Sequence, residues 1–350
     1  MARAHSNQRL LNACRWSSSR ETTFAECRKK YWYSYYGSWE GWPLNPHDAR
    51  TEVDPLASYL YTLKNMQPAC MCMGSTVHKV IEECLKEIQH SRKLPPVDEL
   101  QRRVAVAHDT AMNESKERLW KSHPKHHANI LEHYYGLPFG KDEEQSSKEK
   151  GMMCMANWAS SPCVQNLILH PKAEWLGIEA SQTFALEKGV EAIVVYDFFL
   201  RWPKADGSKT MIIFDWKTGQ ESQKIEDQLF AYALAATTLF SASPDNLIVT
   251  PFYLASGPSG YKKYGAGQET PIDSSRLAAT RAHIIDSGSR MLALHPEKDM
   301  NGLFTPPDPC QFSYPEDHRR CRRCPFQELC TTAQYQPMGW ERLRELIPQK

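Results

Sequence analysis

The feature that most constrains the fold is a pair of strand-like segments, residues 191–202 and 209–217, separated by a short polar connection. Aliphatic and aromatic residues dominate both segments. Asp206 and Gly207 in the connection form a pair that favours a tight turn. The sequence therefore predicts an antiparallel hairpin centred near Asp206.

Three of the charged residues in these mostly apolar segments, Asp197, Asp215 and Lys217, form a candidate group. The predicted hairpin places Asp197 opposite Asp215, and Lys217 lies on the same face as Asp215 because side chains alternate along a strand. Two carboxylates among apolar residues repel each other and resist desolvation unless a cation lies between them. A divalent ion such as Mg²⁺ suits this position, since one or two carboxylates usually hold it. The alternative is a surface hairpin with a cross-strand ion pair.

Two further groups of polar residues favour the metal-site interpretation. His78 lies in a segment whose apolar spacing predicts a helix over 74–91. Gln228 and Tyr232, four residues apart, lie on a helix predicted over 223–242, which follows the lysine segment. Each feature alone is more often a solvated helix face than part of a site.

The cysteines form a second group. The chain has 11 cysteines, and an odd number in a long chain without a secretory signal argues against a disulfide framework. Cys321, Cys324 and Cys330 lie within the motif CRRCPFQELC. Thiolates this close are typical of zinc or iron–sulfur sites, with Cys310 or the distant Cys27 as the candidate fourth ligand. Three unrelated buried thiols are the remaining interpretation.

The composition excludes some classes of protein. Lysine and arginine number 42 and aspartate and glutamate 41, so the net charge of +1 does not support binding of nucleic acid through bulk charge. Hydrophobic residues make up 41%, which is enough for a real core. No apolar run approaches the roughly 20 residues that span a bilayer. We therefore expect a cytoplasmic protein without membrane contact.

The order of these motifs resembles the PD-(D/E)XK nucleases of the RecB-like branch that carry an iron–sulfur cluster. This branch includes CRISPR-associated exonucleases and the nuclease domain of the AddB helicase subunit. The motifs occur in the order Cys, GxxxH, Asp, DxK, QxxxY and CxxCx₅C, and FDWKTG closely resembles the lysine motif of the family. The resemblance covers residues 18–36, 74–90, 174–235 and 303–332.

The resemblance implies an α/β fold in which a central mixed β-sheet is flanked by helices, as in restriction endonucleases. It also implies that an iron–sulfur cluster joins the N- and C-terminal segments. The chain then divides into a flexible lead-in (1–17), N-terminal helices (18–91), a helical insertion (92–160) with a mobile loop near 137–150, a catalytic core (161–302) and a Cys-rich segment (303–350). Within the core we expect strands over 174–187 and 247–254 and a helix over 273–294. Residues 18–36 are predicted as one helix and residues 37–72 as a long connection.

The resemblance also implies roles for single residues. His78, Asp197, Asp215 and the carbonyl of Trp216 would bind Mg²⁺ or Mn²⁺, and Lys217 would be the catalytic lysine. Gln228 and Tyr232 would contact DNA near the scissile phosphate. Glu179 lies where the family often has a strand glutamate. A 4Fe-4S cluster would be held by Cys27, Cys321, Cys324 and Cys330, with Cys310 as a bystander.

The implied activity is that of a metal-dependent deoxyribonuclease, an exonuclease acting on single-stranded DNA or DNA ends, with a helicase or another nucleic-acid-processing protein as a candidate partner. Basic residues at 28–30 and 319–323 would meet beside the cluster and contact phosphates. Aromatic residues near the first group either stack on unpaired bases or belong to the core; they are Trp32, Tyr33, Tyr35 and Tyr36.

Two alternatives remain at this point. Val194 and Phe198 stand where the family usually has glycine and arginine, which favours a catalytically weakened DNA-binding or scaffold protein on the same fold. A zinc-stabilised protein with incidental hairpin carboxylates is the second alternative.

Overall fold

The computed structural model describes residues 12–42, 53–265, 267–268, 270–296 and 305–348. The helices within these ranges are α1 (Ser18–Glu26), α2 (Arg28–Trp32), α3 (Pro55–Lys64), α4 (Ala69–Ser91), α5 (Val97–Lys116), α6 (Leu131–Tyr135), α7 (Lys141–Ala159), α8 (Gln223–Phe240), α9 (Ser274–Leu292), α10 (Gln327–Thr332) and α11 (Trp340–Glu345). The strands are β1 (Arg15–Trp16), β2 (Met66–Gln67), β3 (Asn129–Ile130), β4 (Glu174–Ala185), β5 (Glu191–Pro203), β6 (Lys209–Lys217), β7 (Leu247–Tyr253) and β8 (Tyr264–Gly265).

A mixed sheet forms the centre of the fold. Strands β4, β5 and β6 are antiparallel neighbours, β6 and β7 are parallel, and β8 is antiparallel to β7. Strand β1 pairs in parallel with the beginning of β5. Parallel neighbours need a crossover connection, and α8 lies in the connection between β6 and β7. The predicted α/β class with a central mixed sheet is therefore confirmed.

Helices cover both faces of the sheet. Ile213 and Val249 belong to a hydrophobic cluster that includes residues of α8 and α9. Phe214 and Trp216 belong to a second cluster that includes residues of α4 and α7. Alternation along β6 thus sends neighbouring side chains into two different cores.

The alternation is interrupted in β5 at Asp197. Tyr196 packs in the first cluster, Phe198 in the second, and Phe199 in the first again. Strict alternation would place Val195 and Phe199 on one face, but Val195 is exposed and Phe199 is buried. The change occurs where β5 carries its only carboxylate within the apolar segment.

The insertion 92–160 is helical, as predicted, and is packed on the second cluster through residues such as Val104 and Trp158. The predicted mobile loop near 137–150 is wrong. Helix α7 begins at Lys141, and the carboxylate of Glu143 accepts a hydrogen bond of 2.8 Å from the N–H of Gly140. The low-complexity start of α7 is helical because its charged residues have good helix propensity.

Three predictions near the N-terminus need correction. Within the predicted lead-in, residues 1–11 lie outside the described ranges, but Arg15 and Trp16 form β1 and Trp16 is buried. The predicted helix 18–36 is interrupted at Cys27, whose backbone is extended between α1 and α2. The predicted connection 37–72 contains α3, β2 and the start of α4, and its residues 43–52 are not described.

The remaining elements agree with the predictions within a few residues. Helix α4 begins at Ala69, earlier than predicted, and β4, β5, β6, α8, β7 and α9 follow the predicted segments. Among the described residues, no helix is long and apolar enough to cross a lipid bilayer.

Candidate active site

Three side chains from three elements meet near the point where β5 separates from β6. The Nδ1 atom of His78 on α4 lies 3.6 Å from Oδ2 of Asp197 on β5 and 3.9 Å from Oε1 of Glu179 on β4. One ligand atom from each of the three residues lies within 4.8 Å of the other two. This donor set, two carboxylates and an imidazole, suits a divalent metal ion.

The buried residues of α4 face the second cluster. His78 lies at the edge of this buried face, on the side of the helix that is turned toward the sheet. Val77 and Ile81 are fully buried, whereas the side chain of His78 is 30% exposed. Gly74, one turn earlier, lets the helix approach the loop after β6, since a Cβ atom there would lie 2.9 Å from Oγ1 of Thr218.

Glu179 has a backbone that few non-glycine residues adopt. Its φ is +46°, in the left-handed region, although it lies within β4. The neighbouring pairs Ile178–Phe198 and Ala180–Tyr196 keep the β4–β5 register. The strained residue therefore lies beside Asp197, and strain of this kind is concentrated at functional sites.

Asp197 lies where β5 and β6 separate. The β5–β6 ladder runs from Pro203–Lys209 to Phe198–Phe214, and the predicted register is therefore confirmed. Beyond the last pair, the Asp197 carboxylate accepts a hydrogen bond of 2.6 Å from the backbone N–H of Trp216. This bond fixes the Asp197 side chain at the junction of the two strands.

A hydrogen-bonded network surrounds Asp215 and Lys217. The Lys217 ammonium lies 2.8 Å from Oδ2 of Asp215 and donates to Oε1 of Gln228 at 3.1 Å. Gln228 donates to the Tyr232 hydroxyl at 2.7 Å, and Tyr232 donates to Oδ1 of Asp215 at 3.3 Å. Asp215 and Tyr232 are buried. Each polar side chain in the network is held by at least two contacts.

The electrostatics of the site reflect crowded carboxylates. Burial and the nearby charge of Asp215 raise the pKa of Asp197 well above its usual range. Burial lowers the pKa of His78, but contact with Glu179 and the charges of Asp197 and Asp215 outweigh it, so the net pKa lies above the ordinary value. The site is therefore rich in negative charge that a bound cation would neutralise.

The acidic group opens into a cleft of about 600 Å³. His78 and Glu179 line it, together with Thr218 and Gly219 of the loop after β6. His78 and Glu179 thus lie beside a space that a substrate could enter, and Lys217 directly precedes Thr218 in the chain.

A second cavity, of about 180 Å³, is lined by all four cysteines of the predicted cluster, Cys27, Cys321, Cys324 and Cys330. The Sγ atom of Cys27, at the break between α1 and α2, accepts a hydrogen bond of 3.2 Å from the N–H of Lys30. Cys310 is exposed and is not among the residues that line this cavity. Burial raises the pKa of Cys324 to about 11, so this thiol is neutral near pH 7 unless it binds a metal.

Glu328 on α10 connects the cysteine segment to the rest of the chain. Its carboxylate accepts hydrogen bonds from the hydroxyls of Tyr59 on α3 and Tyr134 on α6. The Tyr135 hydroxyl donates to the carbonyl of Pro325 at 2.8 Å. The insertion therefore helps to position the cysteine segment.

One expectation about the DNA-contacting surface is wrong, and the two alternatives for the aromatic residues are decided for three of them. Lys29 is buried, and its ammonium donates to the carbonyl of Pro309 at 2.5 Å. Trp32, Tyr33 and Tyr36 are fully buried, so they belong to the core and do not form a stacking surface. Among the other basic residues, Lys30, Arg320 and Arg323 line the cysteine cavity.

The mixed sheet flanked by helices, the acidic group and the adjacent lysine are consistent with a PD-(D/E)XK core. The model of the PD-(D/E)XK nuclease superfamily matches residues 15–331, and the chain belongs to this superfamily. No curated protein matches the chain significantly. Members of the superfamily are generally nucleases that use divalent metal ions, and the site fits that activity.

Proposed function

We propose that the chain is a metal-dependent deoxyribonuclease that hydrolyses phosphodiester bonds, acting as an exonuclease on single-stranded DNA or DNA ends. The observation that supports this most strongly is the meeting of His78, Glu179 and Asp197 beside the Asp215–Lys217 pair. Acids that repel one another are gathered at the mouth of a cleft, where a cation and a phosphate can reach them.

His78, Glu179 and Asp197 would hold Mg²⁺ or Mn²⁺, with Asp215 and the carbonyl of Trp216 as further ligands. A divalent ion bound there polarises a phosphate and lowers the pKa of a bound water. Since Asp215 contacts Lys217, the ammonium is held close to this position. Lys217 would orient the attacking water or stabilise negative charge on the phosphate.

The two residues of α8 would act differently. Tyr232 is buried and contacts Asp215, so it would position that carboxylate rather than touch DNA. Gln228 is partly exposed and contacts Lys217, which leaves it able to reach a bound phosphate while it orients the ammonium.

For the four cysteines we propose a 4Fe-4S cluster, as in the RecB-like branch. Zinc bound by four thiolates at about 2.3 Å requires sulfur atoms only about 3.8 Å apart. In the described residues no three cysteine sulfurs lie within 4.8 Å of one another. A cluster in which each thiolate binds a different iron accommodates sulfur atoms that lie farther apart than this. It would join α1 to the C-terminal segment and stabilise the fold.

A second candidate, a weakened nuclease-fold protein that binds DNA beside a helicase, is favoured by one observation. Phe198, where the family often has arginine, is fully buried, and its ring centroid is 4.8 Å from that of Trp175. This position therefore contributes no positive charge to the site.

A cleavage assay separates the two candidates. End-labelled single- and double-stranded DNA, with and without blocked ends, is incubated with the full-length protein and Mg²⁺ or Mn²⁺. We expect metal-dependent loss of unblocked single strands, abolished by Asp215→Ala and Lys217→Ala. Lys209→Ala, on the same strand but paired with Glu174 at the far end, is the matched control and should cleave normally. Tight DNA binding without cleavage under any divalent metal would favour the second candidate.

Iron and sulfide analysis of anaerobically purified protein tests the cluster separately. We expect close to four irons per chain. Stoichiometric zinc would overturn this part of the proposal.

A further inference from the structure

The cleft beside the acidic group continues toward the insertion. Its walls include Lys79 of α4 and Lys150 of α7 as well as His78 and Glu179. A second depression, of about 450 Å³, shares Met73 and Lys150 with the first and follows α7 toward its N-terminus. Together the two depressions form a groove, here called the α4–α7 groove, which leads away from the acidic group.

Helix α7 forms the wall of this groove because it packs closely on its neighbours. A Cβ atom at Gly151 would lie 3.1 Å from Cγ1 of Val104 and 3.4 Å from Cγ of Met73. Only a residue without a side chain fits this contact unchanged. The adjacent Lys150 is therefore held at the groove by tight packing.

The two lysines of the groove differ from their neighbours in charge pairing. Lys148, also on α7, lies 3.0 Å from a carboxylate oxygen of Asp109, and Lys116 forms a comparable pair with Glu144. Lys79 and Lys150 are exposed, and neither forms an ion pair with another described residue. Two unpaired ammonium groups thus border a groove that begins at the acidic group.

We propose that the α4–α7 groove holds a single strand of DNA next to the scissile phosphate, with Lys79 and Lys150 contacting its phosphates. This inference rests on the proposed nuclease function. A single strand fits better than a duplex because Met71, which is 59% exposed, adds an apolar surface that unstacked bases can contact. Asp142 and Glu143 line the far end of the second depression and repel phosphates, so the contact ends near Lys150.

Salt dependence of binding tests this assignment. The parent protein is the full-length chain with Asp215→Asn, and binding of a fluorescent single-stranded oligonucleotide is measured with Ca²⁺ over a range of salt concentrations. Each phosphate contact contributes about 0.7 to the slope of log K against log salt for single strands. We expect Lys150→Ala and Lys79→Ala each to weaken binding severalfold and to reduce the slope by about 0.7. Lys150→Arg should restore both values.

Lys148→Ala is the matched control, since Lys148 lies on the same helix but pairs with Asp109 outside the groove. It should leave affinity and slope unchanged. Equal slopes for the parent, Lys150→Ala and Lys79→Ala would overturn the groove assignment while leaving the proposed nuclease intact. Tighter binding of duplex than of single strand would overturn the choice of substrate. If the Asp215→Asn parent binds no DNA and the wild-type protein cleaves none, the proposed function itself is overturned.

Discussion

The acidic group and the cysteine cavity are built in different ways. His78, Glu179 and Asp197 project from a long helix and two long strands of the main sheet, whose positions are fixed by the two hydrophobic clusters. The cysteine cavity is formed by the break at Cys27 and by a C-terminal segment with only short helices. The first site is held by the fold, whereas the second brings distant parts of the chain together, and the cluster proposed there would stabilise the fold.

This difference predicts opposite responses to mutation. Substitutions in the acidic group should reduce activity and leave the fold intact, because the sheet does not depend on them. Substitutions in the cysteine cavity should reduce stability first, because the short segments around it would rely on the proposed cluster and a few anchoring contacts.

The largest effect is expected from the cysteines. Cys324→Ser should lower the free energy of unfolding by at least about 5 kcal/mol, because metal-binding energy is folding energy in such sites. The melting temperature should fall by about 10 °C or more, as measured by circular dichroism on anaerobically purified protein. Cys310→Ser, an exposed cysteine outside the cavity, should melt like the wild type. Equal melting of both variants would show that the cavity does not hold the fold.

The second largest effect concerns Lys217. Lys217→Ala should reduce the rate of DNA cleavage by about 10³-fold, since loss of one preorganised charge-stabilising donor typically has an effect of 10²–10³. Its melting temperature should change little, because the Lys217 side chain is partly exposed and the Tyr232 hydroxyl still donates to Asp215. Cleavage and melting are measured on the same preparation. A large loss of stability in this variant would contradict the contrast between the two sites.

A smaller effect is expected at Glu328, which anchors the cysteine segment through two tyrosine hydroxyls. Glu328→Ala leaves both hydroxyls without this acceptor and should lower the free energy of unfolding by about 2 kcal/mol, a typical value for hydrogen bonds to a charged group. Denaturant unfolding measures the change. Thr331→Ala, exposed on the same helix, is the control and should unfold like the wild type. An unchanged stability in Glu328→Ala would mean that the cysteine segment is held without this anchor.

The smallest effect is expected at Gly74. Alanine raises helix propensity by up to about 1 kcal/mol, but its Cβ atom would lie 2.9 Å from Oγ1 of Thr218. We expect Gly74→Ala to displace the loop after β6 and to reduce cleavage severalfold without lowering stability. The double variant Gly74→Ala/Thr218→Ala should recover activity. If the double variant stays impaired, the contact between α4 and this loop does not shape the cleft.

The sequence predicts the parts of the molecule that depend on local pattern. Apolar periodicity locates α4 and α8, and the turn at Asp206 and Gly207 sets the register that brings Asp197 beside Asp215. The spacing of the C-terminal cysteines likewise predicts a shared cavity. Short-range regularities of this kind are visible without knowledge of the tertiary structure.

Other features depend on tertiary contacts that leave no local signal. The left-handed backbone at Glu179 cannot be predicted from the residue type, because glycine and asparagine are the residues that usually adopt it. The position of Glu179 beside Asp197 is therefore seen only in the folded sheet. Trp32 and Tyr33 lie on a basic segment, yet long-range packing buries them. The charged start of α7 has the composition of a loop, and the capping contact of Glu143 is found only in the structure.

The most direct test of the account is the binding of Mn²⁺ to the DNA-free protein, measured by isothermal titration calorimetry. We expect wild-type protein to bind the ion, Asp197→Asn and Glu179→Gln to weaken binding at least tenfold, and Glu174→Gln, an exposed position at the other end of β4, to bind normally. Wild-type affinity in both Asp197→Asn and Glu179→Gln would show that His78, Glu179 and Asp197 do not form a metal site.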